Sequence, residues 1–479
     1  MRVPLKFVSA FETKLRTEGS GSFTLLWGDP CHVRGPPRDG KVPVRARGQE
    51  GLVDEADLGD TGLLEIYVID VGQGDGILVR TPDDRWHMID AGVSNQSQML
   101  HRGAANFLRW KFKTDLRRDR AVLENVLITH ADFDHYGGFL DILAGQVGGL
   151  PFPVEIANLY HPGIGRFAAA PKLGAFVEGR VPPFPRGERG IRRDGRFITE
   201  LLSGKTSFRS PPRPFTDAFG SFARGAANRA GTIKRLSAAD GFLPGYEDGD
   251  LLIRVLGPIE ERLEGGGSGL RVLGSDAETV NGHSIVLRVD YHQARILLTG
   301  DLNTRSQRLL LSYVPETQFA GDVVKACHHG AEDIDPAFSK ALQARATVIS
   351  SGDNESFSHP RPLVMGASGR YGRESRGPKG ELLPPLVYST ELARSVALAH
   401  AAEVRVPVPS PGETDFAALA SSVRPERGEF EPFSRVPIST ALVYGLVNVR
   451  TDGKHILCGT LEENGRDFDT KVFEAGVSP

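Results

Sequence analysis

Apolar and polar positions alternate in the first sixty residues in the way that half-buried strands require. The stretch VPVRARG places valine and alanine at every second position with basic residues between them, and PRDGK ahead of it is typical of a turn. FTLLWGD reads as a strand that ends in a turn, and GLVDEADL closes the unit. This pattern predicts a small β unit over residues 22–60, with a linker over residues 54–62.

From Leu63 onward, apolar runs of strand length alternate with segments whose apolar residues recur at helical spacing. LLEIYVID, ILVRT and RWHMIDAG predict three strands, and VLENVLIT predicts a buried strand that ends at His130. Helices are predicted over residues 97–119 and from about Gly138, and RFITELL is the best helix candidate in the less regular region that follows. The alternation of strands and helices predicts an α/β architecture.

The second half of the chain continues this alternation. LLIRVLG, SIVLRVD, ARILLTGD and ATVISSG predict strands, and TRSQRLLLSY and DPAFSKALQA predict helices. Near the C-terminus, ALVYGLVNVRTDGKHILCGTL predicts two strands joined by an Asp-Gly turn. We expect one domain over residues 63–479, in which residues 366–479 form a C-terminal extension.

Composition sets limits on the class of protein. The 479 residues are 40% hydrophobic and 24% charged, which is ordinary for a globular protein, and the net charge of −3 excludes a binder that attracts nucleic acid with its whole surface. Residues 171–244 differ, since Lys172–Asp240 holds 14 Lys and Arg against 6 Asp and Glu. We expect this Pro-, Gly- and Arg-rich segment to be an insertion, and its charge could attract DNA or RNA.

Cysteine use and hydropathy bear on the compartment. Cys31, Cys327 and Cys458 lie far apart, which argues against a disulfide framework and a cysteine-based zinc site and fits a reducing compartment. The N-terminal stretch lacks a long apolar region, and no run of about 18 apolar residues occurs. We expect a cytoplasmic protein without a membrane segment.

The stretch LITHADFDHYGG carries the densest set of metal-binding side chains. His130, Asp132, Asp134 and His135 fall within six positions directly after a buried strand, where α/β sheets usually present functional groups. One loop could aim all four into one cleft, and nitrogen and carboxylate ligands suit zinc, manganese or iron. A solvated acidic loop is the alternative, but adjacent positions rarely collect these residue types by chance.

Further candidates follow later strands. Asp301 comes directly after ARILLTG, and the pair His328 and His329 follows DVVKAC. Taken alone, Asp301 would more often be a turn residue, and a single histidine would more often be structural. His359 in SFSHPRP could equally be a loop histidine or a catalytic one.

The order DVGQGD, IDAG, THADFDHYGG, NGHSIVL, LLTGD, HHG and SHP resembles the metallo-β-lactamase-fold superfamily. More narrowly, it resembles the hydrolase domain of the DNA-uptake competence protein ComEC and its soluble stand-alone relatives. The resemblance extends from about Leu63 to about Pro362 and is interrupted by residues 171–244. It implies a four-layer αββα sandwich with a one- or two-metal site on its edge. Residues 22–60 resemble bacterial SH3-like domains, although a hairpin packed on the main domain would explain them as well.

The resemblance also implies roles for single residues. His130 and Asp132 would bind a first metal and Asp134 and His135 a second, while Asp301 would bridge both. The histidine pair that follows DVVKAC would supply another ligand of the second metal. We favour His328 over His329 for this role because it lies nearer the strand end.

Two departures from the family pattern affect the first metal. Most members have histidine where this chain has Asp132, and the harder oxygen donor favours manganese or magnesium relative to zinc. The usual third ligand is a histidine ahead of the bridging aspartate, where this chain offers Asn281, His283 or, further upstream, His161. We therefore expect the first position to bind metal weakly, or only with substrate present.

Residues of the motif DVGQGD are expected to support the metal ligands. Its glycines allow a tight turn near the metals, and Asp70, Gln73 and Asp75 could hold the ligand histidines in place. Asp90 in IDAG has either this role or a structural one. An ordinary β-turn explains each of these residues equally well when it is taken singly.

The resemblance implies a metal-dependent hydrolase, and a phosphodiesterase or nuclease that uses a metal-activated hydroxide is our first hypothesis. Asp134 would accept the proton of the water, His359 would donate to the substrate, and one or two zinc or manganese ions would be bound. A hydrolase of a small carboxyl ester, lactone or thioester is the second hypothesis, because one fold hosts many chemistries. The third is a non-catalytic module that binds a protein partner through the SH3-like unit.

Overall fold

The computed structural model describes residues 5–19, 21–98, 103–147, 150–352, 357–391, 405–407, 430–432, 445–461 and 467–476, with only the backbone for 405–407 and 430–432. Two large β-sheets form the centre of the molecule. The nine strands of the first sheet are, in spatial order, Ala230–Arg235, Val154–His161, Ala121–Leu127, Trp86–Ala91, Gly76–Arg80, Leu64–Val68, Val447–Thr451, His455–Leu461 and Phe468–Glu474. The six strands of the second are Leu251–Gly257, Val286–Tyr291, Ala294–Leu298, Val323–Lys325, Ala346–Ile349 and Leu386–Ser389.

The two sheets pack face to face through aliphatic side chains. Strands such as Leu64–Val68 and Gly76–Arg80 are buried along their whole length, which explains why they read as continuous apolar runs rather than as alternating ones. Branched side chains dominate the layer between the sheets because they fit the pleated surfaces well. Residues of this layer include Ile66, Val68, Ile77, Val79, Ile253, Val255, Leu287, Val289, Ile296 and Val348.

Helices cover the outer faces of both sheets. The α-helices in the described part of the chain are α1 (Ala104–Arg109), α2 (Phe133–Ala144), α3 (Lys205–Arg209), α4 (Asp217–Arg229), α5 (Asp276–Gly282), α6 (Thr304–Tyr313), α7 (Pro336–Leu342) and α8 (Pro362–Tyr371). Residues of α1, α2 and α4 share a core with the nine-stranded sheet, and residues of α6 and α7 share one with the six-stranded sheet. The predicted four-layer αββα sandwich is therefore confirmed.

Three predicted helices differ from the structure. The helix expected over residues 97–119 covers 104–115, where α1 continues into a π-helical turn. Helix α2 begins at Phe133 and not near Gly138, so Asp134 and His135 lie on its first turn and not in a loop. The first three residues of RFITELL belong to a strand, Asp194–Ile198, and not to a helix. Phe197 and Ile198 pair with Ser268–Arg271, so long-range pairing overrides local preference.

Residues 171–244 are more than an insertion on the surface. Their strand Ala230–Arg235 pairs in parallel with Val154–His161 at the edge of the nine-stranded sheet. Helix α4 packs on α2, where the ring of Phe222 lies 5.3 Å from that of Tyr136. The segment also gives two strands to a separate four-stranded sheet, whose order is Phe176–Arg180, Asp194–Ile198, Ser268–Arg271 and Glu261–Arg262.

The C-terminal region is likewise part of the sandwich and not an appendage to it. Leu386–Ser389 is the edge strand of the six-stranded sheet, and Val447–Thr451 pairs with Leu64–Val68 at the middle of the other sheet. The predicted hairpin across Asp452-Gly453 is confirmed, because Val447–Thr451 pairs with His455–Leu461. Short two-stranded pairs are formed by Gln146–Val147 with Leu150–Pro151, Ser375–Arg376 with Leu382–Leu383, and Arg405–Pro407 with Phe430–Pro432.

The N-terminal β unit is larger than predicted, because it starts at Leu5 and not at residue 22. A buried ion pair and a buried hydrogen bond join it to the main sandwich. Arg450 lies 2.7 Å from Asp29 and donates to the Trp27 carbonyl at 2.7 Å. Its likeness to SH3 domains stays a prediction. Its seven strands form one sheet in the order Ser22–Leu26, Glu12–Arg16, Gln49–Asp54, Lys41–Ala46, Pro30–Val33, Leu5–Val8 and Leu58–Gly59.

None of the helices in the described ranges combines the length and the apolar character that crossing a bilayer requires.

Candidate metal centre

The ends of four elements bring three histidines around one aspartate. His130 and Asp301 lie just beyond the strands Ala121–Leu127 and Ala294–Leu298, His329 lies beyond Val323–Lys325, and His135 is on α2. Asp301 Oδ2 lies 2.8 Å from His329 Nε2, 3.1 Å from His135 Nε2 and 4.0 Å from His130 Nε2. All four side chains are buried. The predicted cluster at the strand ends is therefore brought together by the fold.

Each imidazole is fixed through its other ring nitrogen. Asp90 Oδ2 lies 2.7 Å from His135 Nδ1, and the Ser350 carbonyl lies 3.0 Å from His329 Nδ1. His130 Nδ1 lies 3.1 Å from Thr129 Oγ1. Metal-binding histidines usually have this arrangement, since the second partner sets the ring orientation and leaves Nε2 for the metal.

Asp134 completes a set of four ligands for the predicted second metal. Its Oδ2 lies 3.6 Å from His329 Nε2, its Oδ1 lies 4.0 Å from His135 Nε2, and Gln73 Nε2 donates to it at 3.2 Å. Among the described residues, His329 Nε2 has no partner in hydrogen-bond geometry although Asp301 is close. The ligand atoms of Asp134, His135 and His329 lie within 4.8 Å of one another, which fits a divalent cation. Asp301 Oδ2 is close to both of these histidines and could be a fourth ligand.

The preference for His328 over His329 was wrong. His328 Nδ1 lies 3.1 Å from Asp333, and its Nε2 lies 3.3 Å from the Asn281 amide, so its ring lines the cavity beside the cluster. Both histidines have left-handed backbone, with φ of 47° and 53°, and the tight turn gives their side chains different partners. Distance from the strand end along the chain could not show this.

The predicted first metal position has a different character. Asp132 forms an ion pair with Arg166, a residue that the sequence analysis did not single out. In the amide orientation that satisfies both of its ends, Asn281 donates to Asp132 Oδ2 at 2.7 Å and accepts from His328. His130 Nε2 lies 3.8 Å from the same carboxylate. Of the three candidates for the third ligand, Asn281 is thus the one that lies at this position.

The other two alternatives for the third ligand lie elsewhere. His283 Nε2 lies 2.7 Å from the Arg271 carbonyl, and His161 Nδ1 accepts from the Gly163 amide at 3.1 Å. The ring of His161 packs on Phe208, with centroids 4.8 Å apart. Both histidines are buried structural residues, so their proposed role at the metal is not supported.

Besides Asp90 and Gln73, the supporting residue Asp75 also contacts the centre. Asp75 Oδ1 lies 3.3 Å from His329 Nδ1, and its Oδ2 lies 2.5 Å from Lys325 Nζ. The same ammonium group lies 3.4 Å from Asp301 Oδ1. Asp70 accepts from the Gly72 amide at 3.2 Å and so shapes the DVGQGD turn. Lys325 was missed, although a lone charge in the apolar run DVVKAC was a usable signal.

Close backbone contact explains a glycine of the same turn. Gly74 has φ of +100°, and a Cβ atom there would lie 1.6 Å from the Asp134 carbonyl oxygen. Only glycine therefore lets the DVGQGD turn contact the first turn of α2. This contact sets the depth at which α2 presents Asp134 and His135.

The electrostatics of the cluster favour charged groups in its interior. Burial opposes a charge on His329, but Asp301 outweighs it and raises the pKa of His329 to about 10. In the same way, Asp301 holds the pKa of His135 well above its usual range against burial. Burial and the neighbouring His135 hold the pKa of His130 well below its usual range. Binding of a cation to Nε2 of His135 or His329 must therefore displace a proton, whereas His130 is already neutral.

The cluster opens into a polar cavity of about 340 Å³, a size that can hold a small ligand or one unit of a polymer. His359 lines it, with its ring 6.3 Å from that of His329 and 5.8 Å from that of Phe357, and its catalytic role stays a prediction. Burial and the adjacent His329 lower the pKa of His359 to about 4. Other lining residues include Gln73, Asp132, Glu278, Asn281, Asn303, His328 and Asp333.

Comparison with known proteins agrees with this geometry. Residues 69–353 match the family described as Metallo-beta-lactamase superfamily. ComE operon protein 3 of Bacillus subtilis (strain 168) is 30% identical over 91 residues, which are 19% of this chain and 12% of that relative. The chain therefore aligns with only a small part of the relative's length.

Two solved structures are also similar. The metallo-beta-lactamase fold protein YhfI from Bacillus subtilis has a TM-score of 0.27 at 12% identity, over 59% of this chain and 85% of that one. Tm1679, described as a metal-dependent hydrolase of the beta-lactamase superfamily, has a TM-score of 0.29 at 15% identity, over 60% and 87%. From the family match over residues 69–353, the chain belongs to the metallo-β-lactamase superfamily, whose members are in general metal-dependent hydrolases.

Proposed function

We propose that the protein is a metal-dependent phosphodiesterase or nuclease. The observation that carries this proposal is a ligand set of two carboxylates and two imidazoles beside a cavity that is lined mostly by residues with charged or polar side chains. Asp134 and Asp301 accompany His135 and His329, and oxygen donors favour the harder cations, such as manganese and magnesium, that commonly bind phosphates.

The charge of the cavity would make the proposed activity depend on metal. Five acidic side chains line it, and among the described lining residues none is Lys or Arg. A phosphodiester would be repelled by these walls unless a divalent cation compensated them. We therefore expect substrate binding, and not only turnover, to depend on metal. The acids are Asp132, Asp134, Glu278, Asp301 and Asp333.

When bound, a divalent metal polarises the phosphoryl group and activates water for attack. Asp134 is placed to accept the proton of that water, because its carboxylate lines the cavity and is oriented by Gln73. His359 is placed to hydrogen-bond a phosphoryl or leaving-group oxygen, since its ring lines the cavity and its Nδ1 lacks a partner among the described residues.

The test is turnover of a chromogenic phosphodiester, single-stranded DNA, double-stranded DNA and RNA by the full chain loaded with manganese, magnesium or zinc. Asp134→Asn should lower kcat by at least about 100-fold. A matched control is Asp141→Asn, on the same helix, whose carboxylate accepts from the Asn95 amide at 2.8 Å outside the cavity. Metal-loaded protein that cleaves carboxyl esters but no phosphodiester would favour the small-ester hypothesis.

Recruitment of DNA or RNA by residues 171–244 remains a proposal. Five basic residues of the segment form ion pairs with nearby acids, which reduces the charge that a polyanion would meet. Deletion of the segment would remove α4 and a core strand, so substitution is the better test. Arg186→Ser with Arg192→Ser, both exposed, should weaken binding and its salt dependence. The paired residues are Arg180, Arg189, Arg193, Arg213 and Arg235.

Unchanged affinity and an unchanged salt slope in the double variant would count against this route of recruitment. Arg213→Ser is the matched control, because this side chain is already paired with Glu200 at 3.0 Å.

A further inference from the structure

The two metal positions of the centre differ in the partners of their aspartate carboxylates. At the second position, Asp134 accepts from the neutral amide of Gln73 and forms no ion pair with Lys or Arg among the described residues. At the first position, Asp132 is bonded to the guanidinium of Arg166. Asp132 is also absent from every set of side chains in the described residues whose ligand atoms converge closely enough for one ion.

Arg166 is held in this place by contacts of its own. Its Nε donates to the Ala131 carbonyl at 2.9 Å, directly beside Asp132, and its carbonyl accepts from the Thr216 amide at 2.9 Å. The Arg166 side chain is 22% exposed, and that of Asp132 is 23% exposed. The ion pair is therefore a mostly buried one with a fixed geometry and not a mobile pair on the surface.

We propose that Arg166 is a positioning residue that weakens metal binding at the first position, because it already compensates the charge of Asp132. The centre then binds one divalent cation strongly, through Asp134, His135, His329 and Asp301, and a second one only weakly. This proposal concerns the metal centre of the proposed function, and it rests on that function only in assuming that the centre binds a divalent metal. Its physical basis is a competition between two cations for one carboxylate.

The competition follows from charge and burial. Arg166 pairs with Asp132 Oδ1, whereas Oδ2 faces His130, so a second metal bound through Oδ2 would lie next to the mostly buried Arg166 cation. The His130 imidazole and the Asn281 amide are both neutral donors and cannot compensate that repulsion. The affinity for a second ion should therefore be set by Arg166 and not by the number of donor atoms alone.

The experiment is a titration of the metal-free full chain with Mn²⁺ alone, in which EPR of free Mn²⁺ counts the bound equivalents. The wild type should bind one equivalent at least 100-fold more strongly than the next. In Arg166→Met, the ratio between the affinities for the first and the second Mn²⁺ should be at least 10-fold smaller than in the wild type. Spin coupling between two bound ions should then appear in the EPR spectrum. Arg213→Met, from the same region and paired with Glu200, is the matched control and should behave like the wild type.

Asp132→Asn keeps the test decisive if Arg166→Met does not fold. This variant should retain the strong equivalent, because Asp132 is not one of its ligands. Two equally strong equivalents in the wild type would overturn the proposal, and so would loss of the strong equivalent in Asp132→Asn. The readout counts metal and not product, so a chain that binds one ion but cleaves no phosphodiester would refute the proposed function alone.

Discussion

Lys325 Nζ lies 2.5 Å from Asp75 Oδ2, and both side chains are buried beside the metal centre. The ammonium group also donates to the Gly300 carbonyl at 2.9 Å and lies 3.4 Å from Asp301 Oδ1. Lys325 therefore compensates two buried carboxylates at once and leaves Asp301 Oδ2 to face the histidines.

Lys325→Met should strongly destabilise the metal-free protein. It leaves Asp75 and Asp301 buried without their cation, and breaking a buried pair costs about 3–5 kcal/mol. Urea unfolding would measure the loss, and added Mn²⁺ should recover part of it by supplying positive charge. Lys471→Met, which removes an exposed partner of Asp469, should change the free energy of unfolding very little. Equal stability of the two variants would contradict this account.

Gly74→Ala should disturb the centre more than its backbone strain explains. Gly40 also has a positive φ, of +72°, but a Cβ atom there would meet nothing within 4 Å. Gly40→Ala should therefore show only the strain, about 1 kcal/mol. Gly74→Ala should cost several times more and weaken Mn²⁺ binding, because the methyl group would press on the turn of α2 that carries Asp134. Similar losses in thermal unfolding for both variants would argue against that contact.

Asp90→Asn should weaken metal binding without loss of the fold. The Asp90 carboxylate orients His135 through Nδ1 at 2.7 Å, and loss of such a partner typically costs about 10–100-fold in metal affinity. Calorimetric titration with Mn²⁺ would measure the change. Asp83→Asn, which removes an exposed partner of Arg85, serves as the control and should bind like the wild type. An unaltered affinity in Asp90→Asn would show that His135 does not need this partner.

Acid should destabilise the protein through His87, far from the metal ligands. The ring is buried between Asn125 and Tyr246, at 3.1 and 2.8 Å, and burial, assisted by Arg85, lowers its pKa from 6.5 to about 3. The unfolded chain therefore binds this proton more readily. The stabilisation is complete above about pH 6.5 and is lost as the pH falls toward about 3, by at most about 1.4 kcal/mol per pH unit.

His87→Gln should make the pH dependence shallower over that range, whatever it does to stability at neutral pH. Urea unfolding of the metal-free protein at a series of pH values gives both slopes. Identical slopes would mean that His87 is not among the groups that set the acid sensitivity.

The sequence by itself determined most of the elements and the chemistry of the centre. Buried strands appear in the sequence as local apolar runs, so the strand ends that present His130 and Asp301 were predictable. The cluster of ligand types after VLENVLIT needed no tertiary information either, because a tight loop or helix turn must bring neighbours along the chain together.

Only the tertiary structure decided which of His328 and His329 faces Asp301, because two consecutive left-handed residues reorient neighbouring side chains in a way that no spacing encodes. It also decided that Arg166 holds Asp132, and that residues 171–244 and the C-terminal region complete the sheets. These relationships join residues far apart in the chain. Their energies depend on burial and on the direction of each side chain, which exist only once the sheets have packed.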